Sequence, residues 1–248
     1  MADHYGDAEV TFGQFRSAQP DAANVFCATK YCVFESVTIT EEVVKANITE
    51  RLRKISRVLN VGLCNFDTQR MNEIVESGVD IVSNQVQFSL IDLRPTFKMA
   101  EICRKHDVKL LTYGSLCGGF LADKWLNEPA PNMFREDMTP SHRKYYEIIT
   151  IWGGWKLLQR LLSALSSIGK KHNVSISNVA TRWVLDHNYV AATIIGGRMG
   201  ISEHVEENTR VFAFRLDRED RAAIKVILDQ SQSADVFEAM GDCGAEYR

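Results

Sequence analysis

With 248 residues, 45% of them apolar, the chain is long enough to bury one large core, and an α/β barrel of about 250 residues falls within range. Its formal net charge of −3 and pI near 6.1 provide no general attraction for nucleic acid or an anionic membrane surface. No apolar run approaches the roughly 20 residues that span a bilayer, and the polar start Met1–Asp7 reads as neither secretory signal nor anchor, so a cytoplasmic location is expected. The six cysteines (Cys27, Cys32, Cys64, Cys103, Cys117, Cys243) are scattered without a Cys-x-x-Cys pair, which fits reduced thiols better than a zinc site.

Strand-like and helix-like patterns alternate along the chain. Asn24 to Thr29 reads as a short strand ending at Lys30. Thr40 has the chemistry of an N-cap, and Val43, Val44, Ile48 and Leu52 mark the buried stripe of a helix running to about Lys54. The basic run Arg51 to Arg57 reads as a solvated helix face. Arg57 to Leu63 is the next strand and delivers Cys64-Asn65-Phe66; Asp67 then caps a helix from Thr68 to Ser77 that Gly78 ends. A strand from Asp80 to Gln85 precedes a helix that starts at Pro95 and closes near His106.

Val108 to Tyr113 is a buried strand that stops abruptly in Gly114-Ser115-Leu116-Cys117-Gly118-Gly119. Small residues there let backbone N–H groups approach a phosphate, and the tyrosine at the lip offers a flat face to a planar ring. An ordinary strand-to-helix turn rich in glycine is the other reading. From Ala122 to Gly154 the periodicity lapses, and Pro129, Pro131 and Pro140 punctuate what reads as a long polar loop. Trp155 to His172 is an amphipathic helix, followed by a helix from Ser177 to Asp186 and a strand from Val190 to Ile195 that runs into Gly196-Gly197-Arg198. A short helix around Glu203 to Asn208 and a last one capped by Asp217 complete the pattern, and no composition break divides residues 1–248 into more than one domain. Trp152 and Trp155 flank Gly153-Gly154 and read chiefly as core packing at the helix start.

Repeated β-then-α units without hairpin signals imply parallel strands, in either an open doubly wound sheet or a closed barrel. No Gly-x-Gly-x-x-Gly follows any strand, which argues against the doubly wound dinucleotide fold. In a barrel the chemistry sits at the C-terminal strand ends, here Lys30, Cys64-Asn65, Gln85, Tyr113-Gly114 and Gly197-Arg198.

At these residues the chain resembles the aldo-keto reductase superfamily, whose members adopt the (β/α)8 TIM barrel and reduce carbonyls with NADPH. The segment Met1–Glu9 looks like the one carrying the catalytic tyrosine, which would be Tyr5, and Ala28-Thr29-Lys30 like the strand end bearing the catalytic lysine, Lys30. Val61-Gly62-Leu63-Cys64-Asn65-Phe66 is similar to the Gly-hydrophobic-Ser-Asn-Phe motif, so Cys64 and Asn65 would hold the nicotinamide carboxamide together with Gln85. Side-chain packing is the competing role for Cys64, and a plain surface lysine the competing role for Lys30. Tyr113 would stack on the nicotinamide ring, and Gly114, Ser115, Leu116 and Gly119 would line the pyrophosphate. Gly197, Arg198, His204, Glu207 and Asn208 would clamp the adenosine phosphate, the Arg198 guanidinium offering a donor fork to a 2′-phosphate. Tyr247 falls where the tail of such enzymes lines the substrate pocket.

The resemblance implies an NADP(H)-dependent reductase acting on a small carbonyl substrate in a biosynthetic pathway, with Tyr5 as proton donor tuned by Lys30. It also exposes departures. The family's aspartate that pairs with the lysine and its histidine-bearing strand-and-helix unit have no counterpart, the latter being skipped between Lys54 and Ile55. His4 is the nearest histidine to the tyrosine and reads as solvated. About five of the eight strands are expected, so exposed edges point to a homo-oligomer or to a poorly folding remnant. A non-catalytic relative that binds nucleotide or a partner, with potassium-channel β subunits as the precedent within the superfamily, or a degenerate product without activity, is the alternative.

Overall fold

The computed structural model describes residues 6–19, 29, 41–55, 60–136, 138–197, 200 and 204–247. They fall into two compact units, Met1–Val61 and Gly62–Arg248.

Among the described residues the first unit contains two helices, α1 (Ala8–Ala18) and α2 (Glu41–Ile55). Gly13 sits against α2, where a Cβ would lie 2.2 Å from the Lys54 carbonyl oxygen, so glycine is what permits the crossing. Lys54 Nζ bridges Glu9 at 3.4 Å and Glu50 at 2.9 Å, and the Thr29 hydroxyl donates to Glu9. Helix α2 matches the expected span, but Ile48 of the expected buried stripe is exposed and Thr40 lies outside the described residues; α1 carried no sequence signal that was recognised. The predicted strand 24–29 lies outside the described residues except for Thr29, as do Tyr5, His4 and Lys30.

The second unit is a parallel sheet in the order β1-β2-β3-β4: β1 (Gly62–Cys64), β2 (Ser83–Gln87), β3 (Lys109–Tyr113) and β4 (Val190–Thr193). These are the four later strands of the predicted five. Gly62 to Cys64 pair with Ser83 to Gln85, and Ser83 to Gln87 with Lys109 to Tyr113. The register slips between Leu110 and Leu111 against β4. Successive side chains alternate faces. Asn84, Val86, Leu110 and Thr112 are fully buried under the helices, whereas Ser83, Gln85, Lys109, Leu111 and Tyr113 are half-buried on the other face.

Between the strands run α3 (Thr68–Glu76) and α4 (Met99–His106), then α5 (Pro140–Trp152), α6 (Gly154–His172) and α7 (Ile176–Leu185). Beyond β4 come α8 (Val205–Thr209), α9 (Arg218–Leu228) and α10 (Ser233–Met240). Asp67 caps α3 by accepting from the Arg70 N–H at 2.8 Å, and Asp217 caps α9 by accepting from the Asp220 N–H at 2.9 Å. The helix expected from Pro95 begins instead as a 3₁₀ turn, Arg94–Thr96, and becomes α-helical at Met99.

One expectation is overturned. Residues 122–154 are not one long loop, because α5 occupies their second half. Pro140 there is a helix starter rather than a breaker: it follows the N-cap Thr139, whose hydroxyl accepts from the His142 N–H at 3.1 Å while His142 Nδ1 accepts from the Thr139 N–H at 3.2 Å. Tyr145, Ile148, Ile149 and Trp152 then recur at helical spacing and are all buried. Trp152 is fully buried in the core that α5 and α6 share, as its packing role required. Among the described residues no helix is long and apolar enough to cross a membrane.

Candidate functional site

The ends of β1, β2 and β3 bring four of the expected site residues together. The Asn65 N–H donates to the Gln85 carbonyl at 2.8 Å, carrying the ladder one residue past β1, and Asn65 itself adopts φ +58°, which its short polar side chain tolerates. The Tyr113 hydroxyl reaches across the end of β2 and donates to Asn65 Oδ1 at 3.0 Å. The Cys64 thiol donates to Gln85 Oε1 at 3.4 Å. All four side chains are half-buried.

A buried ionic network fixes the loop that follows β2. Arg94 is 1% exposed and places all five guanidinium hydrogens: Nε on Asp92 Oδ1 at 2.9 Å, Nη2 on Asp92 Oδ2 at 2.8 Å and Glu246 Oε1 at 2.9 Å, Nη1 on Glu246 Oε2 at 2.9 Å and the Gly241 carbonyl at 3.4 Å. Burial alone would lower the pKa of this guanidinium, but Glu246 and Asp92 raise it above its ordinary value, so the charge stays. Asp92 Oδ2 also accepts from Gln87 Nε2 at 2.7 Å. The same network anchors the C-terminal tail. Asp242 Oδ2 accepts from the Thr68 N–H at 2.9 Å, and Gly244 lies on the Asn65 carbonyl, where a Cβ would come within 2.0 Å of the oxygen. Tyr247 belongs to the turn Ala245–Tyr247 at the end of this tail.

The turn after β3 is shaped by its neighbours. Gly114 has φ +67°, and a Cβ there would lie 2.1 Å from the Tyr145 hydroxyl oxygen. Ser115 is buried and its hydroxyl donates to the Phe88 carbonyl at 2.8 Å, while Leu116 packs into the helical core. The Cys117 and Gly119 N–H groups donate within the turn, to Gly114 at 2.9 Å and Leu116 at 2.8 Å. The Cys117 thiol donates to Ser89 Oγ at 3.2 Å, and burial pushes its pKa up to about 12, which leaves it unreactive. Cys64, Cys103, Cys117 and Cys243 are all free thiols.

Past β4 the surroundings are open. Gly197 is exposed and a Cβ on it would meet nothing within 4 Å. Arg198 lies outside the described residues. His204 has φ +45°; its Nδ1 is 3.5 Å from Glu207 Oε2, and its carbonyl accepts from the Asn208 N–H at 2.8 Å. His204 and Glu207 line a cleft of about 620 Å³ with Ser175, Asn178, Glu206 and Arg210. Sequence reasoning missed Arg210, although it stands one helical turn beyond Glu207, and missed Tyr145, hidden in the supposed loop. Among the described residues no three His, Cys, Asp or Glu side chains gather to hold a metal ion.

Residues 56–229 match the model of the Aldo/keto reductase family. The chain belongs to this family. Its relatives include flagellar radial spoke protein 5 of Chlamydomonas reinhardtii, 28% identical over 170 residues that cover 68% of this chain and 31% of that protein. The chloroplastic pyridoxal reductase of Arabidopsis thaliana is 26% identical over 176 residues, covering 69% of this chain and 44% of that protein. Among solved structures, a glycerol dehydrogenase from Gluconobacter oxydans superposes with a TM-score of 0.58 at 21% identity, covering 75% of this chain and 53% of that one. This aldo/keto reductase chain therefore spans less than half the length of the two curated relatives named. Among the described residues its open four-stranded parallel sheet is an incomplete form of the (β/α)8 barrel.

Proposed function

We propose that this aldo/keto reductase is an NADP(H)-dependent oxidoreductase that reduces an aldehyde or ketone to the alcohol, and that the ends of β1, β2 and β3 hold the nicotinamide. The observation that carries this is the Tyr113–Asn65 hydrogen bond across the end of β2, which gathers an aromatic face and two side-chain carboxamides within one half-buried site. That set fits a planar ring bearing a carboxamide: the Tyr113 ring offers a stacking surface, and Asn65 and Gln85 offer matched amide hydrogen bonds. The cofactor when bound supplies a hydride to the carbonyl carbon.

The chain's own residues do the rest. The Arg94 network stiffens the loop and tail around the amides, so that they meet the ring already oriented. Gly197, Arg198, His204, Glu207 and Asn208 are proposed for the adenosine-phosphate end, with Arg198 selecting the 2′-phosphate. Gly114, Ser115, Leu116 and Gly119 are proposed as the pyrophosphate wall. On the family resemblance we assign Tyr5 as the acid that protonates the alkoxide, and Lys30 as the cation that draws the tyrosine pKa down from about 10. A cytoplasmic setting and a biosynthetic substrate complete the proposal.

A second reading rests on the similarity to flagellar radial spoke protein 5, which is named for an assembly and not for a reaction. In it the chain binds nucleotide or a partner without turnover. Titration of the purified protein with NADPH, followed by quenching of tryptophan fluorescence, tests the site. Saturable quenching that Tyr113→Ala abolishes is the expected result, and a folded protein that shows no quenching would overturn the proposal. Carbonyl reduction lost in Tyr5→Phe then supports the reductase, whereas binding without reduction selects the second reading.

A further inference from the structure

The segment Gly241–Tyr247 touches the loops that follow β1 and β2, and reaches the turn after β3 through a relay. At the end of β1, Gly244 packs on the Asn65 carbonyl, where a Cβ would lie 2.0 Å from the oxygen, and Asp242 Oδ2 accepts from the Thr68 N–H at 2.9 Å. Gly244 is also held at φ +81°, so its conformation and its neighbour both require glycine. Beyond β2, Glu246 presents both carboxylate oxygens to Arg94, each at 2.9 Å. The relay continues from Arg94 through Asp92 to Gln87 Nε2, and the Gln87 side chain lies beside Gly114, 3.1 Å from where a Cβ would stand. Between these anchors Cys243 is 1% exposed, in the core cluster that holds Met71 of α3 and Cys103 of α4.

Little regular structure holds the segment itself, which is a loop and a single 3₁₀ turn, Ala245–Tyr247. The Glu246 side chain is 18% exposed, so water reaches the carboxylate of a pair whose guanidinium is 1% exposed. A short stretch fastened in this way opens at a local cost, below that of unfolding the whole domain. Opening parts the Asn65 carbonyl from Gly244, the Thr68 N–H from Asp242 and the Arg94 fork from Glu246 together.

Resting on the nicotinamide reading, we infer that Gly241–Tyr247 is a latch coupled to the cofactor site: closed on Arg94, it holds the loops after β1 and β2 in the arrangement that binds, and a bound nucleotide holds it closed in turn. Glu246 is its positioning residue and acts through Arg94. Such coupling is reciprocal, so the factor by which an open latch weakens the ligand is the factor by which the ligand suppresses opening.

NADPH is the probe, and two measurements on the full chain test the latch. The first is its Kd, read by tryptophan fluorescence at a temperature where the near-ultraviolet circular dichroism of each variant matches the wild type, so that a loss of stability alone leaves the value unmoved. Glu246→Ala is expected to weaken binding by about tenfold, within the usual range of such couplings. Glu246→Gln, which keeps the size of the side chain and loses its charge, is expected to weaken it less. The second is amide hydrogen exchange in residues 241–247 of the wild-type protein, which saturating NADPH is expected to slow by about the same tenfold. A folded Glu246→Ala that binds as tightly as the wild type, or exchange in 241–247 unmoved by saturating NADPH, overturns the inference and leaves the nicotinamide reading standing. The exchange measurement decides alone if neither variant folds. A wild-type protein that binds no NADPH overturns that reading, and the inference with it.

Discussion

The ends of β1 to β3 and the end of β4 carry the same kinds of residue in different surroundings. On the first side polar groups interlock: Arg94 lies between Asp92 and Glu246, the Ser115 hydroxyl donates to Phe88, and the Tyr113 hydroxyl donates to Asn65. Gly114 there is dictated by the Tyr145 hydroxyl, which a Cβ would meet at 2.1 Å. On the second side Gly197 meets nothing within 4 Å, Val205 and Phe212 are 55% and 74% exposed, and His204 and Glu207 border a cleft. Crowding makes a residue's identity a matter of folding, and openness makes it a matter of what binds. Substitutions on the first side should therefore register in stability, and those on the second in affinity.

Arg94→Met should show the largest effect. It leaves the Asp92 carboxylate, 1% exposed, without its cation, and loss of one partner of a buried pair costs about 3–5 kcal/mol. It also unfastens the tail at Glu246. Thermal melts should fall by roughly 6–20 °C for a domain of this size. A fall of only a degree or two would mean that the network is replaceable and the crowded side less interlocked than the contacts imply.

Gly114→Ala comes next, at about 2–4 kcal/mol, because a side chain there combines left-handed strain with overpacking against Tyr145. Adding Tyr145→Phe removes the nearest atom and should recover part of the loss by denaturant titration. Unchanged stability in the double variant relative to Gly114→Ala would assign the whole effect to the backbone.

A smaller effect appears as pH dependence. The His187 ring lies 5.0 Å from Phe88, 4.5 Å from Trp183 and 5.3 Å from Tyr189, and burial lowers its pKa below the ordinary 6.5. The folded state thus favours the neutral ring. Its contribution is complete above pH 6.5 and is lost as pH falls through the lowered folded value, where the unfolded chain takes up the proton first. Melting temperature should decline below pH 6.5 in the wild-type protein and decline less in His187→Gln; parallel curves would place the titration elsewhere.

How much of this was legible in the sequence follows the same division. Strand ends were readable because a polar residue terminating an apolar run stands out locally, as at Asn65 and Tyr113, which a hydrogen bond joins, whereas β2 runs two residues past its expected end at Gln85. Asp67 and Asp217 were readable as caps because the cap and its partner N–H are three residues apart. The contacts that shape the crowded side were not readable. Arg94 and Glu246 are separated by 152 positions, and nothing near Gly114 announces a tyrosine from α5. Helix α5 itself was obscured because Pro140, read as punctuation, is its first residue, and because histidine replaces the usual Glu or Gln of the capping box. The partner of Ser115 was hidden in the same way: the residue is 2% exposed and its hydroxyl donates to the carbonyl of Phe88, 27 positions away.

On the open side the expected change in stability is the smallest and the expected change in binding is the informative one. Gly197→Ala adds a methyl group into empty space, and Arg210→Ala removes an exposed cation from the cleft, so each should leave stability within about 0.5 kcal/mol. If the cleft takes an anionic phosphate, Arg210→Ala should weaken NADPH binding while leaving NADH binding nearly unchanged, because the 2′-phosphate distinguishes the two ligands. Glu206 flanks the same cleft and opposes an anion. Its removal, as Glu206→Gln, should therefore strengthen NADPH binding. Equal losses for NADPH and NADH in Arg210→Ala would show that the cleft contributes shape rather than charge, and would move phosphate recognition away from α8.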